Sequence, residues 1–392
     1  MRSLHSDKTI RLYIDARALA SERISGIGHN LVETVHSLEH KIIQGEKIKI
    51  TLLVPMSKAR FVNQWGFQRV NIKRILIPMR IINVLERHRL LPPMDIFLGR
   101  GIYIFPNYTN WPILFSKSLT YIHDISYVYF PQFVEPRNLK MLLSGVPRWI
   151  HRSDKVIAIS HNAGDEITKH FKLPPNKVQV VTCGVDTKVF LPQSEDEIKR
   201  LKNNYNLPPE YILYFGNIEP RKNLINLVNA YKTLPKSLKD RYALVLAGGD
   251  GWLNESIHQT ITEALEEGNN IIIPGKYIPD ADLPALYSGA IALAHPSYYE
   301  GFGISPLQAM ACGVPVMTSN VSSMPEVVGN AGLYVNPRDQ HDIGDKMKLL
   351  LENASLRNEL VQKGFARSQQ FNWDESGEKL LTIIKDIYKA NQ

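Results

Sequence analysis

"GAIALAHPSYYEGFGISPLQAMACGVPVMTS", residues 289–319, sets the architecture. An apolar run over 289–297 ends in a glycine-bearing loop, "LQAMACG" reads as a short helix of small residues closed by Gly313, and a second apolar run over 314–319 follows at once. Strand, loop, helix and strand in that order form a parallel βαβ unit, because a helical crossover returns the chain to the same edge in the same direction. Ser305 is expected as the N-cap of the helix and Pro306 in its first turn, since serine can accept an amide hydrogen bond and proline has no amide to satisfy. Glu300 is the one acidic residue in the stretch.

The alternation continues in both directions. Apolar runs at 211–216, 242–248, 270–275 and 332–337 surround this unit, and an independent series occupies 9–16, 47–55, 102–106, 118–124, 155–160 and 177–184. Helical spacing in "GIGHNLVETVHSLEH" runs through Ile27, Leu31, Val35 and Leu38 after a glycine loop. Residues 186–210 turn polar and proline-bearing, which places a domain boundary there. The expected fold is α/β: two Rossmann-like, doubly wound parallel-sheet domains facing a central cleft, residues 1–190 and 191–370, with ligands beyond the carboxyl ends of the strands. A further amphipathic helix is expected over 371–388.

Length agrees, because 392 residues at 44% hydrophobic exceed one ordinary core. Only Cys183 and Cys312 occur, far apart, which fits neither a disulfide framework nor a zinc site. No apolar run approaches the ~20 residues of a membrane span, and "MRSLHSDKTIRLYIDAR" lacks the apolar core of a signal peptide. The expected setting is the cytoplasm, with association at the inner face of the membrane as a further expectation.

Charge is uneven. Residues 1–190 hold 27 Lys and Arg against 14 Asp and Glu, net +13, leaving −5 for the remainder. Much of the excess lies in 71–93, where Lys73, Arg74, Arg80, Arg87 and Arg89 alternate with apolar residues. Such a stretch suits an anionic membrane surface or a lipid pyrophosphate, and equally a solvated helix face backed by core residues. No nucleic-acid-binding motif is present, and nucleic acid is not expected as a partner.

Two loops carry the chemistry. "YFGNIEPRKNL" places Arg221 and Lys222 between a strand and a helix, where a planar guanidinium, a compact ammonium and helix amides suit a diphosphate. A pair of this kind alone also occurs as an ordinary solvated loop. In "SYYEGFGIS" Gly301 and Gly303 permit close backbone approach, and Glu300 is an acceptor for a polyhydroxylated ligand.

These motifs give the chain a resemblance to the retaining GT-B-fold glycosyltransferases related to glycogen synthase, and within them to bacterial mannosyltransferases of polysaccharide and O-antigen assembly. It rests on "GNIEPRKNL", on 275–316, on "SSMPEVVGNAGLYVNP", and in the first half on "YIDARALASERISGIGHN" and "YIHDISYVYFPQ". It implies a nucleotide-sugar donor held mainly by the second domain and an acceptor, a saccharide or lipid-linked saccharide, held mainly by the first. It implies a diphosphate-binding pair at Arg221 and Lys222, and a first E-x7-E carboxylate at Glu300 beside the donor sugar. Gly301, Phe302, Gly303, Ile304 and Ser305 then cradle diphosphate and sugar, with Asn217 nearby. His123 stands beside the reacting sugar, Gly26 and Gly28 lie in a loop that closes over the donor, and Gly275, Lys276, Tyr277 and Ile278 meet the base. The second family carboxylate falls on Gln308, which keeps an acceptor for ribose but loses the charge.

GDP-mannose is the favoured donor, with UDP- and ADP-sugars as alternatives; no cofactor and no metal are implied. The resemblance also implies that the helix over 371–392 packs back on the first domain. An epimerase or phosphorylase of the same architecture, or a non-catalytic sugar-nucleotide-binding protein, are the competing expectations.

Overall fold

The computed structural model describes residues 9–390, which form two compact units. One comprises the chain up to Ile125, Met141–Cys183 and the stretch from Trp373; the other comprises Ser126–Lys140 and Gly184–Asn372.

The first unit is built on a seven-stranded sheet: β1 (Ile10–Asp15), β2 (Ile48–Pro55), β3 (Val70–Ile75), β4 (Ile102–Phe105), β5 (Lys117–Tyr121), β6 (Lys155–Ala158) and β7 (Val178–Val180). Its order is β3-β2-β1-β4-β5-β6-β7, every pair parallel. The second carries six: β8 (Tyr211–Phe215), β9 (Ala243–Ala247), β10 (Ile271–Ile272), β11 (Ala292–His295), β12 (Val316–Ser319) and β13 (Gly332–Val335). Their order is β10-β9-β8-β11-β12-β13, again all parallel. In both sheets the order reverses once, between β1 and β4 and between β8 and β11. Loops leaving two such strands diverge, which opens the crevice where ligands of doubly wound sheets sit.

The central strands are apolar throughout because both faces are covered. "ALVLA" of β9 and "ALAH" of β11 are wholly buried, with Leu293 of β11 in register with Leu213 of β8 and Val316 of β12. The core of the second unit is filled by Tyr214, Leu227, Val228, Tyr231, Leu244 and Ile343. Tyr231 is fully buried yet satisfied, its hydroxyl donating to Tyr242 O at 2.8 Å.

Three local readings need correction. Residues 195–205, inside the polar segment assigned to the domain boundary and not read as an element, are helical (Glu195–Tyr205): Ser194 Oγ accepts the Glu197 amide, and Glu195, Asp196 and Glu197 complement the positive helix start. Residues 70–75 are β3, an edge strand whose half-buried Lys73 and exposed Arg74 conceal its pattern and block edge pairing. Gly26 and Gly28 stand in the first turn of the helix Gly26–Ile43, not in the loop before it; a side chain at 28 would collide with Ile24 Cβ at 2.6 Å.

The helix Trp373–Lys389 packs on Gly26–Ile43. Gly377 makes the close approach, since a Cβ there would lie 2.7 Å from Ser37 Oγ. Lys41 pairs with Glu378 at 2.9 Å and Lys385 with Glu46 at 2.7 Å. Cys183 and Cys312 are both buried and unbridged, and burial pushes each thiol up to about 12. Among the described residues no helix is long and apolar enough to cross a membrane.

Candidate active site

Arg221, Lys222 and Glu300 converge at the carboxyl ends of β8 and β11, the switch point of the second sheet. β8 ends at Phe215, and Gly216 after it (φ +154°) turns the chain out of the sheet. Gly248, after β9, lies so close that a Cβ there would stand 1.9 Å from Gly216 O. Two glycines are thus required for the loops of neighbouring strands to touch. Arg221 and Lys222 follow in a single turn, Pro220–Lys222, and Asn223 ends it in the left-handed region (φ +63°). The buried Asn223 amide donates to Pro296 O at 2.9 Å and Pro337 O at 2.6 Å, tying this turn to the loops after β11 and β13.

Both Glu300 oxygens are occupied. Oε1 accepts from Lys222 Nζ at 2.6 Å, Ser297 Oγ at 2.8 Å and His295 Nε2 at 2.9 Å; Oε2 accepts from Arg221 Nη1 at 2.8 Å. Arg221 also donates to Tyr299 O at 2.7 Å and to Glu219 Oε1 at 2.6 Å. Burial pushes the Glu300 carboxyl up, but the Arg221 guanidinium, the Lys222 ammonium and the His295 hydrogen bond outweigh it and hold the group well below the usual carboxylate range. Burial also keeps His295 below its ordinary value, against the pull of Glu300. Neutral His295 must therefore carry its proton on Nε2 to donate to the carboxylate. The residue assigned to sugar hydroxyls is thus also the counter-ion of both cations.

The loop beyond Glu300 is fixed from below. Glu300 N–H donates to Ser322 Oγ at 3.0 Å, and Ser323 Oγ lies 2.8 Å from Glu300 O and 2.6 Å from Phe302 O. Gly303, at φ +114°, is the N-cap of the helix Ile304–Ala311. This corrects the assignment of Ser305, which lies inside the first turn: the chain must reverse through a conformation only glycine takes without strain. The helix closes as expected at Gly313 (φ +74°), with Gly313 N–H on Met310 O and Val314 N–H on Ala309 O. Gln308 stands on this helix, and its Oε1 accepts the Tyr287 hydroxyl at 3.2 Å.

Of the remaining predicted residues, Asn217 shares the loop of Arg221 and Lys222, and the others lie apart in the fold's connectivity. Asn217 is exposed in the β8 loop, its carbonyl accepting the Tyr214 hydroxyl at 2.7 Å. Gly275, Lys276, Tyr277 and the buried Ile278 follow β10, two strands from β8. Gly26, Gly28 and His123 belong to the first unit. His123 is buried behind β5 with Nε2 donating to Pro106 O at 2.7 Å, and burial lowers its basicity.

Sequence reasoning passed over His295, Ser297, Glu219 and Asn223. The first two had a signal: residues 295 and 297, two apart at a strand end, point to one side. Also unforeseen is residues 126–140 lining the second unit, where Tyr129 stacks on Tyr299 (6.1 Å), Phe130 and Phe133 on Tyr298 (6.3 and 5.6 Å), and Trp252 Nε1 donates to Phe133 O at 2.7 Å. Among the described residues no group of three or more His, Cys, Asp or Glu is placed to hold a metal ion. Arg221, Lys222 and the amides of residues 301–305 are the groups suited to an anionic ligand.

Residues 195–367 match the family described as "Glycosyl transferases group 1" and residues 73–189 that described as "Glycosyltransferase Family 4". The chain is 33% identical over 287 residues to O-antigen chain mannosyltransferase B of Escherichia coli, covering 72% of this chain and 74% of that protein. It is 35% identical over 245 residues to the serotype-specific mannosyltransferase WbdA of Escherichia coli, 62% of this chain but 30% of that longer protein. Sucrose-phosphate synthase from Thermosynechococcus elongatus superposes with a TM-score of 0.73 over 98% of this chain and 100% of that one at 18% identity, a likeness of fold. With two parallel-sheet α/β units of the GT-B type and a relative of this similarity over most of its length, the chain is a glycosyltransferase belonging to the glycosyl transferases group 1 family.

Proposed function

We propose that the protein transfers a mannosyl residue, from GDP-mannose in preference to a UDP- or ADP-sugar, to a saccharide carried on lipid during cell-surface polysaccharide assembly at the inner face of the membrane. The observation that carries this reading is the convergence of Arg221, Lys222 and Glu300 at the switch point beside the start of the helix Ile304–Ala311. Two cations and a set of helix amides match a departing diphosphate, and a carboxylate beside them matches sugar hydroxyls. The mannosyltransferase names of two relatives favour mannose.

Transfer proceeds with retention. The acceptor hydroxyl attacks the anomeric carbon on the face from which the diphosphate leaves; the bond from that carbon to the phosphate oxygen breaks, and the hydroxyl proton passes to a phosphate oxygen. Arg221 and Lys222 stabilise the charge that develops on the leaving group, while Glu300, Gly301 to Ser305 and His123 orient the sugar. Gln308 holds the ribose, and the loop from Gly275 to Ile278 meets the base.

The test is acceptor-dependent release of GDP from GDP-mannose, with the anomeric configuration of the product read by NMR. GDP release that ignores added acceptor, or donor interconversion without acceptor, would overturn the reading.

A further inference from the structure

Residues 71–100 of the first unit present an outer face that the transfer chemistry does not use. The helix Met79–Arg87 buries Ile82 completely and packs Met79 and Leu85 on the same small core. Its solvent side carries apolar groups beside the arginines: Ile81 and Val84 are 49% and 54% exposed, and Leu76 and Leu90, at either end, 74% and 69%. Single exposed apolar side chains are ordinary, but several within one turn-helix-turn form a patch.

The patch extends through neighbouring loops. Lys73 Nζ donates to Leu98 O at 2.6 Å, and the buried Asp95 accepts the amides of Leu114 at 2.9 Å and Phe115 at 2.6 Å. These bonds lock the turn 95–98 between β3 and the loop 112–115, and the turn and the loop expose further large apolar groups, Phe97 and Leu114 among them.

Charge on this face has one sign. Arg74, Arg80, Arg87, Arg89 and Arg100 are all exposed, the last with its guanidinium 4.2 Å above the Phe115 ring. The two acids of the stretch turn inward: Asp95 onto the amides above, Glu86 onto Arg148 and the Trp149 indole. Arg89 occupies the left-handed position after the helix (φ +61°), with its amide on Glu86 O and that of Leu90 on Leu85 O. Glycine fills such a position without strain, so an arginine there points to a use for its side chain.

We propose that this face docks on an anionic lipid bilayer, its apolar side chains entering the boundary between headgroups and acyl chains and its arginines lying at the level of the lipid phosphates. The purpose of docking rests on the reading of a lipid-linked acceptor; docking itself does not depend on the transfer reaction.

The test is co-sedimentation of the whole protein with vesicles of phosphatidylglycerol and phosphatidylethanolamine, against vesicles of phosphatidylcholine alone. The unaltered protein is expected to bind the anionic vesicles at least about tenfold more tightly and to release them as salt rises from about 0.1 to 0.5 M. The variant Arg80→Glu/Arg87→Glu/Arg89→Glu and, separately, Ile81→Ser/Val84→Ser/Leu90→Ser are each expected to lose binding about tenfold or more. Both should keep the thermal midpoint and the turnover of a short, water-soluble saccharide acceptor.

Equal binding to neutral vesicles, no binding by the unaltered protein, or full binding by either variant would overturn the proposal. So would a dimer of this chain, or a complex with another protein, that the same variants dissociate while vesicle binding persists. Vesicle binding without turnover of any saccharide would instead sink the transfer reading and leave docking standing.

Discussion

Lys222 Nζ stands 2.6 Å from Glu300 Oε1, with both side chains largely withdrawn from water. Breaking a buried pair from one side leaves a charge uncompensated, which costs about 3–5 kcal/mol. Glu300→Gln should therefore lower the unfolding midpoint as well as turnover, the latter by about 100-fold or more. Adding Lys222→Met should recover stability but not activity. Unfolding curves and transfer rates for the single and double variants check this; an unchanged midpoint in Glu300→Gln would remove the pair as a stabilising contact.

Acid should act in two stages. Burial depresses His123 and His295 below the ordinary 6.5, so each contributes stability that is complete above that pH and is lost as pH falls through the folded value. Glu300 is held well below the ordinary 4.5, so its contribution is complete above 4.5 and is lost only in stronger acid. Thermal midpoints between pH 8 and 3 should show a shallow decline below about 6.5 and a steeper one below about 4.5. His295→Asn should flatten the first stage; an unaltered slope would exclude that histidine from it.

Gly248→Ala should be more damaging than Gly303→Ala. A Cβ at 248 meets backbone, 1.9 Å from Gly216 O, whereas one at 303 meets the end of the Met324 side chain. Backbone cannot step aside, so we expect a loss above about 3 kcal/mol at 248 and about 1–3 kcal/mol, mainly from the left-handed conformation, at 303. Denaturation midpoints for the two variants test the order, which would be wrong if Gly303→Ala were the less stable.

Gln308→Glu keeps an acceptor for the Tyr287 hydroxyl and adds a charge to it. If the residue holds ribose, donor KM should fall roughly tenfold with little change in kcat, because a charge-assisted bond strengthens substrate and transition state alike. Steady-state kinetics separate the two constants. A fall in kcat with KM unmoved would assign the residue to the chemistry instead.

The strands that were legible in the sequence are those buried on both faces, such as "ALVLA" in β9, where burial dictates composition. β3 was not, because an edge strand is selected for charge and so disguises its own period. At the site, Arg221, Lys222 and Glu300 stood out by their loops, but their mutual pairing did not: 78 residues separate Lys222 from Glu300, and only the reversal between β8 and β11 brings them together. Ser305 was misassigned for a related reason. Capping preference describes a helix in isolation, whereas the turn into this one is set by Ser322 and Ser323 beneath the loop.

The helix Trp373–Lys389, seated on Gly26–Ile43 through Gly377 and the pairs Lys41–Glu378 and Lys385–Glu46, has a consequence for biosynthesis. Residues of the first unit leave the ribosome early, yet the helix that covers one flank of its first helix emerges more than 300 residues later. Until then Asn30, Thr34, Ser37 and Lys41 along that flank lack the helix that seats on them, while the second unit is still being made. The second unit, whose own sheet is complete by residue 335, can fold first, and the first unit is completed only when its last helix arrives.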